Sequence, residues 1–357
     1  MTTFLVLSLN LFATVDALRN ASKVILVEEF LFFKHYAFHK SKIALHRASM
    51  RYYEEYLRTH GITVEYVDSI SPLSDIRALG AALLEQGIDS LLCYDPCDDW
   101  LQRRLESLPL SIHFIASPGF LNTTDAILPA RKDGSIVQTD WYVAQRKARG
   151  LLLDNGKPLG GAWTYDADNR KRYPRGATPP TVQMAPVNAW TQEAEQYVRT
   201  NFANNPGEVH GAVYPVTHND AEQWLEGFLL HRFREFGPYE DAIVSRHHWL
   251  HHSVLTPMLN CGLLTPDAVL TRSLNFAAEH DIPLASLEGF VRQILGWREF
   301  IRLFYTAHGR TQRTRNYWGF TRAIPSSWYT GTTGILPIDT TIKKLLQTGY
   351  NHHIERL

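Results

Sequence analysis

The sequence predicts a two-part fold, α/β followed by all-α: a doubly wound parallel-sheet unit, then a helical unit. Three observations carry this. Continuous apolar runs recur at 4–9, 23–28, 63–67, 90–94 and 111–116, the pattern of strands buried on both faces of a parallel sheet. Helical stretches lie between them, and those over 42–60 and 74–86 are each followed by a glycine, Gly61 and Gly87, where a left-handed cap belongs. Beyond residue 186 the apolar spacing is helical, as in Trp224, Leu225, Phe228, Leu229 and Phe233. The predicted units are 1–130, an ordered crossing over 131–185 that is rich in Trp and Tyr, and 186–357.

Composition narrows the function classes. At 357 residues and 45% hydrophobic, the chain can build two cores. The formal net charge is zero, which argues against a protein that coats nucleic acid broadly but leaves room for a local basic groove. Cys93, Cys97 and Cys261 form no disulfide framework and fit a reducing cytoplasm. No stretch reaches transmembrane length, so no membrane partner is expected. The apolar N-terminal run lacks a basic flank and reads as a first strand, not a leader. No G-x-G-x-x-G or phosphate loop follows it, so the dinucleotide fingerprint is not supported.

Polar groups on apolar faces point to a site. Residues 287–300 and 348–357 each read as a helix. Gln293 and Trp297 are four apart, as are His352 and Arg356, so each pair shares a face. Gln, Arg and paired His do not normally sit on a core face unless something polar is bound there. Thr256-Pro257 and Thr265-Pro266 read as N-caps with proline at the first helical position. The free N–H groups of a helix start, with the Ser253 and Thr256 hydroxyls, suit a diphosphate. Thr217, with Asp220 three residues on, reads as another N-cap. His247/His251 and His248/His252 have zinc-pair spacing on a helix, but no H-E-x-x-H or third ligand accompanies them, and no metal site is assigned. Arg310, Arg313, Arg315, Tyr317 and Trp318 interleave cations with aromatics, as a phosphate-tracking, base-stacking surface requires. His39 and His46 read as packing histidines, and the cluster Arg170, Lys171, Arg172 and Arg175 as a solvated turn or a phosphate contact.

Several of these segments resemble the photolyase/cryptochrome superfamily, and its bacterial iron–sulfur (6-4) photolyase branch (photolyase-related proteins) most closely. They include Gly160-Gly161-Ala162-Trp163-Thr164-Tyr165-Asp166-Ala167-Asp168-Asn169-Arg170, Phe236-Gly237-Pro238-Tyr239-Glu240-Asp241-Ala242, His252-Ser253-Val254-Leu255-Thr256-Pro257 and Thr348-Gly349-Tyr350 with His352-His353. The resemblance implies FAD, with Tyr239, Ser253, Leu255, Thr256, Gln293, Trp297, Arg298, Tyr350 and Arg356 around it. Trp297 or Tyr350 would lie against the flavin or the substrate. It also implies His352 and His353 jointly as catalytic proton donors, and Trp328 and Tyr329 as an electron relay in reversed order. The implied activity is blue-light repair of UV pyrimidine lesions in damaged DNA, the (6-4) photoproduct favoured. A cryptochrome-like photoreceptor and a flavin-free DNA-binding remnant are the alternatives on the same scaffold.

Departures from the branch carry expectations of their own. Pro337 stands where the family has its first cluster cysteine, so no iron–sulfur cluster is expected. Relatives carry a lumazine-type antenna, but Leu7-Ser8-Leu9-Asn10-Leu11 replaces their usual Gly-Asp-Gln-Leu, which counts against it here. Against the branch the sequence is shortened at the C-terminus, stopping at Leu357, and three readings stay open: a truncated or split form, a flavin pocket completed by a second chain or copy, or loss of FAD.

Overall fold

The computed structural model describes residues 2–126, 128–210 and 214–356. Strands β1 (Thr3–Leu7), β2 (Lys23–Val27), β3 (Val64–Val67), β4 (Ser90–Tyr94) and β5 (Ser111–Ile115) form one parallel sheet in the order β3-β2-β1-β4-β5. Their apolar runs exist because both faces are covered. Leu5, Leu7, Ile25 and Val27 point toward helices α2 (Ile76–Glu85) and α3 (Asp99–Glu106), burying Leu79, Leu83, Leu101 and Leu105. The alternate residues Phe4, Val6, Val24 and Leu26 point the other way, toward Ile43, Met50 and Tyr53 of helix α1 (Lys40–Thr59). That second core continues without a break into the helical part through Phe228, Phe233 and Phe290.

The helical part follows a small hairpin (Leu153–Asp154 with Lys157–Pro158) and helix α4 (Gln138–Arg149). Its principal helices are α5 (Ala189–Asn201), α6 (His218–His231), α7 (Pro266–His280), α8 (Leu284–Val291), α9 (Glu299–Thr314) and α10 (Leu336–Thr348). Thr217 caps α6, its Oγ1 accepting from the Asp220 N–H at 3.1 Å, and Thr265 caps α7 through the Ala268 N–H at 3.3 Å. No described helix is long and apolar enough to cross a membrane.

The α/β and helical parts are joined tightly. The Leu11 N–H donates to Cys261 O at 2.9 Å, and His218 Nε2 bonds Leu11 O at 2.8 Å. Gly262 sits at φ +89° against Phe12, where an added Cβ would lie 2.8 Å from Phe12 Cε1. Glu299 is fully buried and its carboxylate accepts from the N–H groups of Leu121 (3.0 Å) and Asn122 (2.9 Å). A buried Arg47 joins Glu28 (3.1 Å), Asp68 (2.6 Å) and Glu193 (2.6 Å), which lashes β2, α1 and α5 together. Buried charge is tolerated there because each guanidinium edge meets a carboxylate.

Three local expectations are corrected. The stretch 348–357 is not a helix: α10 ends at Gly349, which adopts φ +70°, and only His353–Arg356 form a tight 3₁₀ turn. Leu357 lies outside the described residues. Thr256 is not a cap but the first residue of the short helix Thr256–Cys261, which has no side-chain cap. Residues 240–255 are irregular, so the histidine pairs His247/His251 and His248/His252 do not have helical spacing. Among the described residues no three His, Cys, Asp or Glu side chains gather as a metal site.

Candidate active site

A cavity of about 1250 Å³ opens between α4, the α8–α9 junction, the loop over 252–260 and the C-terminal turn. Its apolar wall is Phe236, Leu255, Leu259, Phe290 and Ile294. Phe290 is locked by edge contacts with Phe236 (5.5 Å) and Phe233 (5.4 Å). The loop carrying Ser253 is held by its carbonyls: Trp224 Nε1 donates to Ser253 O at 3.1 Å and Arg232 Nη1 to His252 O at 2.8 Å. Next to them the buried Val254 sits at φ +54°, a conformation β-branched residues avoid, so the surrounding contacts impose it.

Residues Arg292–Arg298 wind as a π-helix between α8 and α9, and this wide turn sets Arg292, Gln293, Trp297 and Arg298 along the cavity. Arg292 reaches three carboxylates, Glu288 (3.2 Å), Asp166 (3.1 Å) and Glu240 (3.7 Å). Burial pushes the Glu240 carboxyl up to about 7, against the pull of Arg292, and Gln293 Nε2 donates to it at 3.2 Å. Arg298 Nη1 donates to Asn260 Oδ1 at 2.7 Å, while its Nε is buried with no partner, as is Gln138 Nε2. Asn169 fills the space behind this wall. A Cβ on Gly237 or on Gly289 would come within 2.8 Å of its carboxamide, so both positions are closed to larger residues.

Three imidazoles border the cavity. The His252 and His352 rings stack 4.3 Å apart at 22°, both buried. His252 Nε2 bonds Glu240 O at 2.9 Å. Burial drives His252 down to about 3 and His352 to about 4, His252 lowered further by the His352 imidazole and His352 by that of His353. Two positive rings at that separation would repel by about 4 kcal/mol at an effective dielectric of about 20. His353 is different: half-exposed, with Nε2 2.8 Å from Asp241 Oδ1. That hydrogen bond holds the Asp241 carboxyl below the usual range. Burial raises the Tyr350 phenol to about 12.

Ser253, Leu255, Thr256, Gln293, Trp297, Arg298, Tyr350, His352, His353 and Arg356 all border this cavity. Tyr239 does not. Its ring lies against Tyr173 (5.0 Å) and His251 (5.4 Å), and Phe236 from the same segment lines the wall instead. Trp328 and Tyr329 lie on the one-turn helix Ser327–Thr330, exposed and away from the cavity lining. Arg310 and Arg313 are exposed but both are engaged by Asp99, at 2.6 and 2.7 Å, and Arg315, Tyr317 and Trp318 of the same basic-aromatic stretch are exposed as well. His39 and His46 have structural surroundings: His39 Nε2 bonds Leu346 O at 3.0 Å, and His46 is buried beside Cys261. Arg292 and Gln138 were not singled out from the sequence, His252 was weighed there only as half of a zinc-spaced pair and as the first residue of a motif, and Glu240 and Asp241 stood in a motif with no role assigned. Glu240 and Asp241 immediately follow Tyr239 in the motif, and that adjacency was the available signal.

Comparison with known proteins follows the same outline. Residues 4–214 match the family described as deoxyribodipyrimidine photo-lyase-related protein. The chain is 28% identical over 329 residues to a (6-4) photolyase of Agrobacterium fabrum, covering 89% of this chain and 64% of that relative, so it spans less than two thirds of that protein's length. An uncharacterized protein of Acanthamoeba polyphaga mimivirus, R853, is 40% identical over 112 residues, 31% of this chain and 85% of that protein. In structure, a bacterial class III photolyase from Agrobacterium tumefaciens superposes with a TM-score of 0.60 at 17% identity, covering 99% of this chain and 70% of that one. A Synechocystis cryptochrome superposes with a TM-score of 0.61 at 13% identity, covering 100% of this chain and 73% of that one. Both share this fold.

Proposed function

The chain belongs to the deoxyribodipyrimidine photo-lyase-related protein family, and on that footing we propose that it binds FAD in this cavity and uses blue light to repair UV pyrimidine lesions in DNA, the (6-4) photoproduct foremost. The observation that carries the reading is the cavity itself: apolar walls, buried donors on Gln138 and Arg298 that lack a protein partner, and imidazoles at its edge. A buried N–H without a partner is costly, and a ligand with acceptor atoms would satisfy both.

The residues fit a flavin. The hydroxyls of Ser253 and Thr256 together with Arg298 would take the diphosphate, and Leu255, Ile294 and Trp297 the ring system. The bound group would supply light-driven one-electron reduction. The protein's own part is to exclude water, offer an aromatic face and deliver a proton. Trp297, 42% exposed at the cavity, presents a ring for an extruded base. Extrusion costs only a few kcal/mol, and least at a lesion that has already lost pairing. Arg315, Tyr317 and Trp318 would meet the neighbouring strand.

Protein purified in the dark should show the visible absorption of a flavin and, when lit, remove a (6-4) lesion from an oligonucleotide. A protein that stays colourless after added FAD overturns the cofactor assignment. A coloured protein that responds to light but leaves both (6-4) and cyclobutane lesions intact is a photoreceptor instead.

A further inference from the structure

Outside the cavity, the segments that follow β2 and β4 meet at the surface. After β2, the buried Glu29 carboxylate caps the short helix Phe30–Phe33 by accepting the Leu31 N–H. His35 and Tyr36 come next. After β4, Asp98 lines the cavity, and Trp100 lies two residues further on, in the first turn of α3. The His35 ring sits 4.4 Å from Tyr36 and 4.8 Å from Trp100, and Tyr36 is 57% exposed. Arg313 lies over the Trp100 ring at 4.4 Å, its guanidinium held by Asp99. The Asp99 N–H donates to Tyr305 Oη at 3.0 Å, and Tyr305 is itself in the cavity wall. A row of rings therefore leads from the cavity rim onto the α/β part. Cations border the row. Lys34 is exposed, 5.8 Å from the Phe30 ring centre, and Arg103 is exposed three residues after Trp100 on the same face of α3. Among the described residues neither is paired with a carboxylate.

We propose that these rings and cations form a track for single-stranded DNA, running from the cavity rim over Trp100 to Tyr36, and that the protein takes unpaired strands in preference to duplex. Every base has a face that can stack on an aromatic ring, but bases inside a duplex already spend their faces on one another. Only an unpaired strand can lay its bases on Tyr36 and Trp100 while its phosphates meet Lys34 and Arg103. Arg313 has a different part. Asp99 occupies its guanidinium, so it steadies the Trp100 ring and leaves the phosphates to the unpaired cations. It also joins the track to Arg315, Tyr317 and Trp318, which follow it in the chain. The proposal rests on the photolyase reading for the choice of DNA, and adds to it the form of DNA that is bound.

Fluorescence anisotropy of the full chain tests it, in the dark, with lesion-free oligonucleotides and no added cofactor. Oligothymidylate of about 16 nucleotides should bind at least tenfold tighter than a blunt duplex of the same length. Tyr36→Ala should weaken strand binding at least fivefold, while Tyr36→Phe, which keeps the ring, should hold it. Lys34→Ala with Arg103→Ala should lower the salt slope for the strand by about 1.4. Duplex bound as tightly as the strand, or strand binding unmoved in Tyr36→Ala and in the double variant, overturns the track. Oligouridylate bound tenfold tighter than oligothymidylate overturns DNA as its occupant. Photocrosslinking of a strand carrying 5-iodouracil needs no variant to fold: adducts should map to Tyr36 or Trp100, and adducts confined to other segments overturn the assignment. Because no lesion, cofactor or light enters these measurements, a protein without flavin or repair would sink the functional reading and leave this one standing, and failure here leaves the cofactor assignment untouched.

Discussion

Lys344 and Glu355 form a buried ion pair, Nζ to Oε1 at 2.8 Å, with side chains only 8% and 3% exposed. Lys344 Nζ also donates to His247 O at 2.8 Å. One ammonium therefore fastens helix α10 to the irregular loop before His252 and to the turn that carries His353. This contact sets the two stacked imidazoles face to face, because it fixes the chain on both sides of them.

Removing either partner leaves a buried charge uncompensated. Lys344→Met or Glu355→Gln should each destabilise the protein by about 3–5 kcal/mol, whereas the double variant Lys344→Met/Glu355→Met should cost less than the sum of two single apolar replacements. Urea unfolding of the variants measures this; equal additive losses would show that the two groups act independently.

Glu240 makes stability depend on pH in a direction opposite to an ordinary paired carboxylate. Its carboxyl rises from 4.5 to about 7 through burial, so the folded state holds the proton more tightly than the unfolded chain. Its stabilising contribution is complete below about pH 4.5 and is lost as pH climbs through about 7. Glu240→Gln, uncharged throughout, should therefore gain on the wild type by up to about 3 kcal/mol between about pH 5 and about pH 8. Unfolding free energies at the two pH values check it, and a variant that loses ground at the higher pH contradicts it.

DNA affinity should divide the basic stretch in two. Arg315→Ala, Tyr317→Ala and Trp318→Ala together should weaken binding of lesion DNA at least tenfold and reduce the salt slope by about one. Arg310→Ala should change little, because Asp99 already holds that guanidinium. Fluorescence anisotropy at two salt concentrations distinguishes the two; a larger loss from Arg310→Ala would relocate the contact surface.

Two glycines with positive φ should respond differently to a methyl group. Gly61→Ala (φ +76°) meets nothing within 4 Å and should lose only about 1 kcal/mol of backbone preference. Gly262→Ala (φ +89°) would press Phe12 Cε1 at 2.8 Å and the Leu11 amide nitrogen at 2.9 Å, and should lose about 2–4 kcal/mol. Thermal unfolding ranks them, and similar losses would mean the interface yields.

The parallel sheet was legible because burial on both faces writes a continuous apolar run, and α1 because Gly61 marks its end. The cavity was legible in part. Gln293, Trp297 and Arg298 stood out as polar or aromatic groups on an apolar stretch. What stayed hidden depends on contacts between distant residues. Nothing local announces that His252 meets His352, that Asp99 captures Arg310 and Arg313, or that Asn169 fills the space beside Gly237 and Gly289. The terminal stretch misled for a different reason: four-residue spacing implied a helix, but Gly349 ends α10 first and hands the imidazoles to a tight turn.

The wide turn at Arg292–Arg298 governs two unrelated tasks at once. Upstream of Glu299 it aims side chains at the cavity, and it also phases the helix on which Glu299 grips the amides of Leu121 and Asn122. Shortening it by a single residue would re-index everything downstream by about 100°. Trp297 and Arg298 would swing aside while that grip let go, so the spare residue works as a gear tooth that keeps chemistry and architecture in step.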